Sequence, residues 1–211
     1  MIERTAAARR AGLDSLFVGD RHVSPTPYYQ NTPMLGRLLA EWGEAPAGCL
    51  FLLPLWHPVL VAEQIGTLAA IAQGPFIMQC GLGWGEARFA AMGASYRTRP
   101  SAFEEALDIV RRLLAGETVS SSRRFRVTEA SLALRPAEPI EVWIGASAPP
   151  RSTARRDWQR AGSRAPGSPP QRRAGRPISI LSAAPLTARG QPPSRCDATF
   201  MSASRHPRRK Q

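Results

Sequence analysis

The sequence predicts an α/β protein with a parallel sheet, and three observations support that prediction. Apolar runs at 49–53 and 76–80 have the length and the continuity of buried parallel strands. A stretch from about 59 to 72, between these runs, has apolar residues at helical spacing. The second run leads directly into a glycine-rich turn at 81–86. A strand, a helix and a second strand followed by glycines are typical of parallel α/β folds, whose functional loops follow the carboxyl ends of the strands.

The alternation of helix and strand extends to both sides of this unit. Gly12 is expected to end the first helix, and Asn31 or Thr32 to cap the second. Residues 101–104 have the pattern of a capping box for the fourth helix, which Gly116 ends. The predicted helices are 2–11, 33–42, 59–72 and 101–115, and the predicted strands are 13–19, 49–53, 76–80 and 141–145, with a short β excursion at 118–135. These are about four parallel strands, half of the eight that close a (β/α)8 barrel, so an incomplete TIM-type barrel is predicted.

Charge divides the chain near residue 150. Residues 1–150 contain 14 Arg and 14 acidic residues and carry no net charge, which suits a neutral globular domain. Residues 151–211 contain 14 basic and 2 acidic residues, which accounts for the whole formal charge of +12. Because this Arg/Pro-rich segment has no apolar periodicity, we expect it to be disordered. The expected domains are a partial barrel at 1–150 and a disordered C-terminal tail at 151–211.

Several classes of protein fit the composition poorly. Cys49, Cys80 and Cys196 have no metal-ligand or disulfide spacing, and no metal site is predicted. The N-terminus lacks the apolar core of a signal peptide, and prolines interrupt the uncharged stretch 45–62, so neither secretion nor a membrane span is expected. The chain is therefore predicted to be cytoplasmic. The basic tail predicts salt-dependent attraction to nucleic acid without a specific recognition module.

Residues 12–147 resemble the bacterial luciferase-like family of flavin- or deazaflavin-dependent oxidoreductases. The resemblance depends on the order and spacing of several segments, namely 11–20, 53–64, 81–86 with Phe89 and Gly93, 103–110 and 142–145. It implies a (β/α)8 barrel with the flavin at the carboxyl ends of the strands. Members usually begin with a strand before the opening helix and continue with a phosphate-binding helix and three more strands. Since the recognisable pattern stops near Ala148, a truncated member is expected.

The resemblance implies catalytic roles for His22 and Glu86. A histidine near this point lines the flavin pocket in the family and is the general base of deazaflavin sugar dehydrogenases, a role that suits an imidazole with a pKa near neutrality. Relatives often have Asp-His where this chain has Arg21 before His22. A matching glutamate at Glu86 is a proton donor in the deazaflavin relatives. The alternatives are a solvated loop histidine and a carboxylate that interacts with a helix dipole.

A second group of residues is expected to bind the cofactor. The glycines of the 81–86 turn let the backbone approach a ligand closely, and the aromatic residues that follow two strands either wall the isoalloxazine ring or pack at the rim. The family usually has Gly-Gly and a small polar residue after the 142–145 strand, where backbone amides hold the flavin phosphate. The expected cofactor-binding residues are Trp56, Gly81, Gly83, Trp84, Gly85, Gly145, Ala146 and Ser147.

Three functions follow as hypotheses. The first is a monooxygenase in which reduced FMN and oxygen act on a small organic substrate, with the flavin supplied by a reductase. The alternative is hydride transfer with a deazaflavin drawn from a cellular pool. The third is a non-catalytic barrel fragment with a basic tail that attracts nucleic acid. Homodimerisation is left open.

Overall fold

The computed structural model describes residues 1–145 of the chain. The predicted tail at 151–211 and the last residues of the predicted 1–150 domain lie outside the described residues.

The described residues form five helices and six strands, which alternate from α1 to β3. The helices are α1 (Ile2–Arg10), α2 (Asn31–Trp42), α3 (Pro58–Ile71), α4 (Glu86–Ala91) and α5 (Arg99–Leu114). The strands are β1 (Leu16–Val18), β2 (Ala47–Leu52), β3 (Phe76–Gly81), β4 (Val119–Ser121), β5 (Val127–Ala130) and β6 (Glu141–Ile144). A single 3-10 turn, Leu53–Leu55, follows β2.

Four of the strands form one parallel sheet in the order β1-β2-β3-β6. These are the four predicted strands, which confirms the predicted α/β class and strand number. The predicted β excursion is the antiparallel β4–β5 hairpin. Because all four sheet strands are parallel, their carboxyl ends lie at one edge of the sheet, and the helices that follow them begin at that edge.

The two faces of the sheet carry different side chains. One face carries Val18, Cys49, Met78 and Cys80 into a core that also includes buried residues of α2, α3 and α5. The opposite face carries Phe17 and Trp143 from the two edge strands, and their ring centroids are 5.1 Å apart. Side chains of β1 and β6 meet across two intervening strands only if the sheet is strongly curved, as in a barrel segment.

The predicted caps of α2 and α5 are wrong. The cap residue of α2 is Gln30, and the buried Asn31 side chain instead donates to the Leu50 carbonyl at 2.6 Å, which ties the helix to β2. Helix α5 begins two residues before the predicted capping box, and the Ser101 hydroxyl donates to the Thr98 carbonyl at 2.9 Å. Gly12 and Gly116 have positive φ just beyond α1 and α5, as expected for helix stops.

Within the described part of the chain, none of the helices combines the length and the hydropathy needed to cross a bilayer. Cys49 and Cys80 are free and buried, and burial raises the pKa of both thiols, so they pack as small apolar side chains.

Candidate active site

The ends of three adjacent strands bring the candidate residues to one edge of the sheet. Leu52 at the end of β2 lies in register with Gly81 at the end of β3, and β1 ends beside β2 at Val18. The segments that follow these strands carry His22, Trp56 and the glycine turn. Parallel pairing therefore converts segments that are distant in sequence into one contiguous surface.

Asp20 is the central residue of this surface. It is 8% exposed, and its Oδ2 accepts hydrogen bonds from the Leu52 backbone N–H at 2.8 Å and from Trp56 Nε1 at 2.7 Å. The carboxylate thus joins the ends of β1 and β2 and fixes the orientation of the Trp56 ring. Asp20 is not among the predicted site residues, although an acidic residue directly after a predicted strand is a recognisable signal.

His22 packs against the same carboxylate. It is 9% exposed, and its Nε2 lies 3.1 Å from Asp20 Oδ1, an ion-pair distance. The two atoms are buried but not aligned as a hydrogen bond, so each lacks a well-oriented partner among the described residues. The ring also meets the Trp56 ring edge-on, with centroids 5.3 Å apart. His22 is therefore not a solvated loop histidine.

Trp56 connects His22 to the core side of β2 through two aromatic contacts. Its indole packs edge-on against Phe51 of β2, with centroids 5.5 Å apart, as well as against His22. The ring is half-buried, so part of it remains available at the rim. Asp20, His22 and Trp56 form one contact group, which we call the strand-end cluster.

The glycine turn after β3 has the backbone geometry that requires glycine. Gly83 and Gly85 have φ values of +71° and +96°, and a Cβ on Gly81 would approach the Leu52 side chain at 3.2 Å. At Gly81 and Gly83 the turn therefore presents backbone without a side chain next to Leu52 at the end of β2.

Glu86 and Trp84 lie on the segment that follows β3, and within residues 1–145 they form no hydrogen bond, ion pair or ring contact with the strand-end cluster. Trp84 is 72% exposed, and the Arg88 guanidinium lies 5.5 Å from its ring centroid. Glu86 is the first residue of the six-residue helix α4, and its exposed side chain forms no hydrogen bond or ion pair within residues 1–145. Both residues follow the carboxyl end of β3, but the structure shows no contact between Glu86 and His22.

The predicted phosphate-binding segment is only partly described. The Gly145 N–H donates to the Cys80 carbonyl at 2.9 Å, which places this exposed glycine beside the end of β3. Ala146 and Ser147 lie outside the described residues, so the phosphate site stays a prediction.

The pKa of the Tyr28 phenol is shifted by burial and by the charge of Asp20. The pKa of Tyr28 is raised to about 12, chiefly by burial and also by the Asp20 carboxylate, while Arg21 has an opposing effect. The neutral phenol is therefore stabilised in the folded state. This contribution to stability is complete below pH 10, the unfolded value, and is lost as the pH rises through about 12.

We expect a spectrophotometric titration to show this late ionisation directly. Tyrosinate absorbance should show one phenol that ionises near pH 12, and this phase should be absent from Tyr28→Phe. A variant Tyr29→Phe, which alters the exposed neighbour, should keep the late phase. Loss of the late phase in Tyr29→Phe alone would contradict the assignment.

The family model described as luciferase-like monooxygenase matches residues 1–156. The chain belongs to this luciferase-like family. The match covers most of the chain and includes every element of the strand-end cluster.

Curated relatives of this luciferase-like chain are named as F420-dependent enzymes. It is 32% identical over 164 residues to the F420-dependent glucose-6-phosphate dehydrogenase of Intrasporangium calvum, covering 71% of this chain and 48% of that protein. It is 30% identical over 166 residues to the F420-dependent hydroxymycolic acid dehydrogenase of Mycobacterium tuberculosis, covering 72% and 45%. The chain spans about half the length of the curated relatives it matches.

Solved structures support the luciferase-like fold. An F420-dependent secondary alcohol dehydrogenase in complex with an F420-acetone adduct matches with a TM-score of 0.59 at 20% identity, over 68% of this chain and 46% of that chain. The FMN-bound oxygenating constituent of 3,6-diketocamphane monooxygenase from Pseudomonas putida matches with a TM-score of 0.59 at 15% identity, over 68% and 44%. At this identity the likeness concerns the fold alone.

Proposed function

We propose that this luciferase-like chain carries active-site residues of a deazaflavin (F420)-dependent oxidoreductase. The proposed reaction oxidises a hydroxyl-bearing carbon by hydride transfer. The relatives at 30–32% identity cited above are named as F420-dependent dehydrogenases, whereas the FMN-bound monooxygenase is 15% identical. The support therefore favours the deazaflavin alternative over the FMN monooxygenase that the sequence suggested first.

The observation that carries the proposal is the strand-end cluster. Asp20 Oδ1 and His22 Nε2 are buried polar atoms without a well-oriented hydrogen bond, which is costly unless a ligand group completes the site. The adjacent turn offers backbone without side chains at Gly81 and Gly83, and Trp56 supplies an aromatic edge. These features fit the polar edge and the flat face of a deazaflavin ring.

When bound, F420 supplies a ring carbon that accepts a hydride with its electron pair. His22 takes the hydroxyl proton of the substrate as the C–H bond breaks and the C=O bond forms. Asp20 stabilises the imidazolium that results, and Trp56 restricts access of water to the pair. Glu86, at the end of the glycine turn, would hold a proton on its carboxyl group and act as a proton donor when the coenzyme is bound.

The second candidate function is a monooxygenase that uses reduced FMN and oxygen, because the matching family model is described as a luciferase-like monooxygenase. In both cases a small-molecule substrate is proposed, and in the first the coenzyme comes from a cellular deazaflavin pool. The two candidates differ in one respect that is easy to measure, since only the monooxygenase consumes oxygen.

Anaerobic turnover tests the proposal. The full chain is mixed with F420 and glucose 6-phosphate or propan-2-ol, each with hydrogen or deuterium at the carbinol carbon. We expect coenzyme reduction at the same rate with and without oxygen, and slower reduction of the deuterated substrate. His22→Asn should lower kcat by about 10²–10⁴.

The matched control is His206→Asn, which changes a histidine outside the described residues and should leave kcat unchanged. Turnover that requires both oxygen and reduced FMN would overturn the deazaflavin proposal in favour of the second candidate.

A further inference from the structure

The β4–β5 hairpin carries a second cluster of polar residues, separate from the strand-end cluster. A shallow groove of about 510 Å³ lies along it. Its lining consists of four hydroxyl-bearing residues, one arginine and one valine, namely Ser120, Ser121, Ser122, Thr128, Arg126 and Val127.

Several hydrogen-bond donors of this groove have no acceptor. Ser120 Oγ accepts the Glu129 backbone N–H at 2.9 Å, which leaves its own proton to donate. The side chains of Ser122 and Thr128 form no hydrogen bond with the rest of residues 1–145, and the exposed Arg126 guanidinium forms no ion pair there. The groove is therefore rich in donors that an anion would satisfy.

The charge around the groove is positive. Arg123, Arg124 and Arg126 lie within four positions at the tip of the hairpin. The nearby Glu105 carboxylate is buried, and it already accepts from the Ser121 hydroxyl and from the backbone N–H groups of Arg124 and Phe125. Glu129 on β5 is the acidic residue closest in sequence, and it lies three positions beyond Arg126.

The hairpin tip is held in place by α5. The Arg124 guanidinium donates to the Thr98 hydroxyl at 2.8 Å and to the Ser101 hydroxyl at 3.2 Å, in addition to the bonds that Glu105 accepts. Such a preorganised tip loses little further conformational freedom when a ligand binds. Phe125 also meets the His57 ring edge-on with centroids 6.0 Å apart, so the tip lies at the same end of the sheet as Trp56.

We propose that the β4–β5 groove binds a phosphate-type oxyanion, with the Arg126 guanidinium as a two-pronged donor and the free hydroxyls as further donors. Planar guanidinium groups match the geometry of phosphate oxygens, and hydroxyls complete such sites at short range. No residue of the groove belongs to the strand-end cluster, so this site stands independently of the proposed oxidoreductase function.

Titration of the full chain with inorganic phosphate at constant ionic strength, followed by ³¹P NMR, tests the proposal. Arg126→Gln should weaken phosphate binding about tenfold. The double variant Ser122→Ala/Thr128→Val, which leaves the net charge unchanged, should weaken it about fivefold.

The basic tail requires a charge-matched control. Arg172→Gln removes the same charge outside the described residues and should change the affinity less than twofold. Equal weakening by Arg126→Gln and Arg172→Gln, or unchanged affinity in the hydroxyl double variant, would show only diffuse attraction to a basic chain and would overturn the proposal. Circular dichroism of each variant confirms that the fold is retained.

Discussion

Replacing Gly48 with alanine is expected to destabilise the fold by about 3 kcal/mol or more, because a clash with a neighbouring strand cannot be relieved by a side-chain rotation. A Cβ at this position of β2 would clash with the Ile77 carbonyl oxygen of β3 and would lie 2.8 Å from the Phe17 ring. The strands would have to separate, and the Phe17–Trp143 contact over this position would be lost. Urea unfolding, followed by far-UV circular dichroism, measures the change in the free energy of unfolding.

The same substitution on a helix provides the control. A Cβ at Gly36 of α2 would meet only Leu68 Cδ2 at 3.8 Å, an ordinary van der Waals distance. Gly36→Ala is therefore expected to leave stability unchanged or to raise it by up to about 1 kcal/mol through helix propensity. Equal destabilisation by the two substitutions would contradict the close packing of β2 against β3.

Replacing Asp20 with alanine is expected to lower both stability and activity. The Leu52 N–H and the Trp56 indole N–H would lose their acceptor in a buried environment. Each such unsatisfied donor costs about 1–3 kcal/mol, so we expect a total loss of roughly 2–6 kcal/mol for the two. Urea unfolding measures this loss, and the Trp56 fluorescence should change because the indole is released.

Two companion variants separate the structural role of Asp20 from its charge. Asp20→Asn keeps an acceptor oxygen and should cost little stability, yet it should lower kcat because the imidazolium of His22 loses its counter-charge. Asp14→Ala removes a carboxylate whose buried Oδ2 has no hydrogen-bond partner in the described part of the chain, so it should not lower stability. A loss of stability from Asp14→Ala as large as that from Asp20→Ala would contradict the assigned role.

The sheet was predictable because its physical signal is local. Buried parallel strands must be apolar on both faces, so β2 and β3 appear as continuous apolar runs in the sequence. The short helix α4 was missed because its six residues directly follow a glycine turn and show no helical periodicity. The cap of α5 was predicted wrongly because the Ser101 hydroxyl bonds to a preceding carbonyl rather than to a backbone N–H, a choice that the residue type does not determine.

The candidate site was predictable only in part. His22 and Trp56 were selected because they follow strands, and the structure brings them into contact. Asp20 was missed because its partners lie 32 and 36 positions away, at a distance that no local spacing reveals. Glu105 was missed for the same reason, since a glutamate on a helix usually faces solvent and its partners lie in the hairpin. Tertiary pairing, not residue type, gives these carboxylates their roles.

The proposed function requires that the strand-end cluster is the site of a deazaflavin ring. Its most direct test is an equilibrium titration of the full chain with F420, with FMN as competitor, in parallel for the native sequence and Asp20→Asn. We predict saturable F420 binding that FMN displaces only weakly and that Asp20→Asn weakens about tenfold, the size expected for one charge-assisted hydrogen bond. Tighter binding of FMN than of F420, or equal affinity of Asp20→Asn and the native sequence, would contradict it.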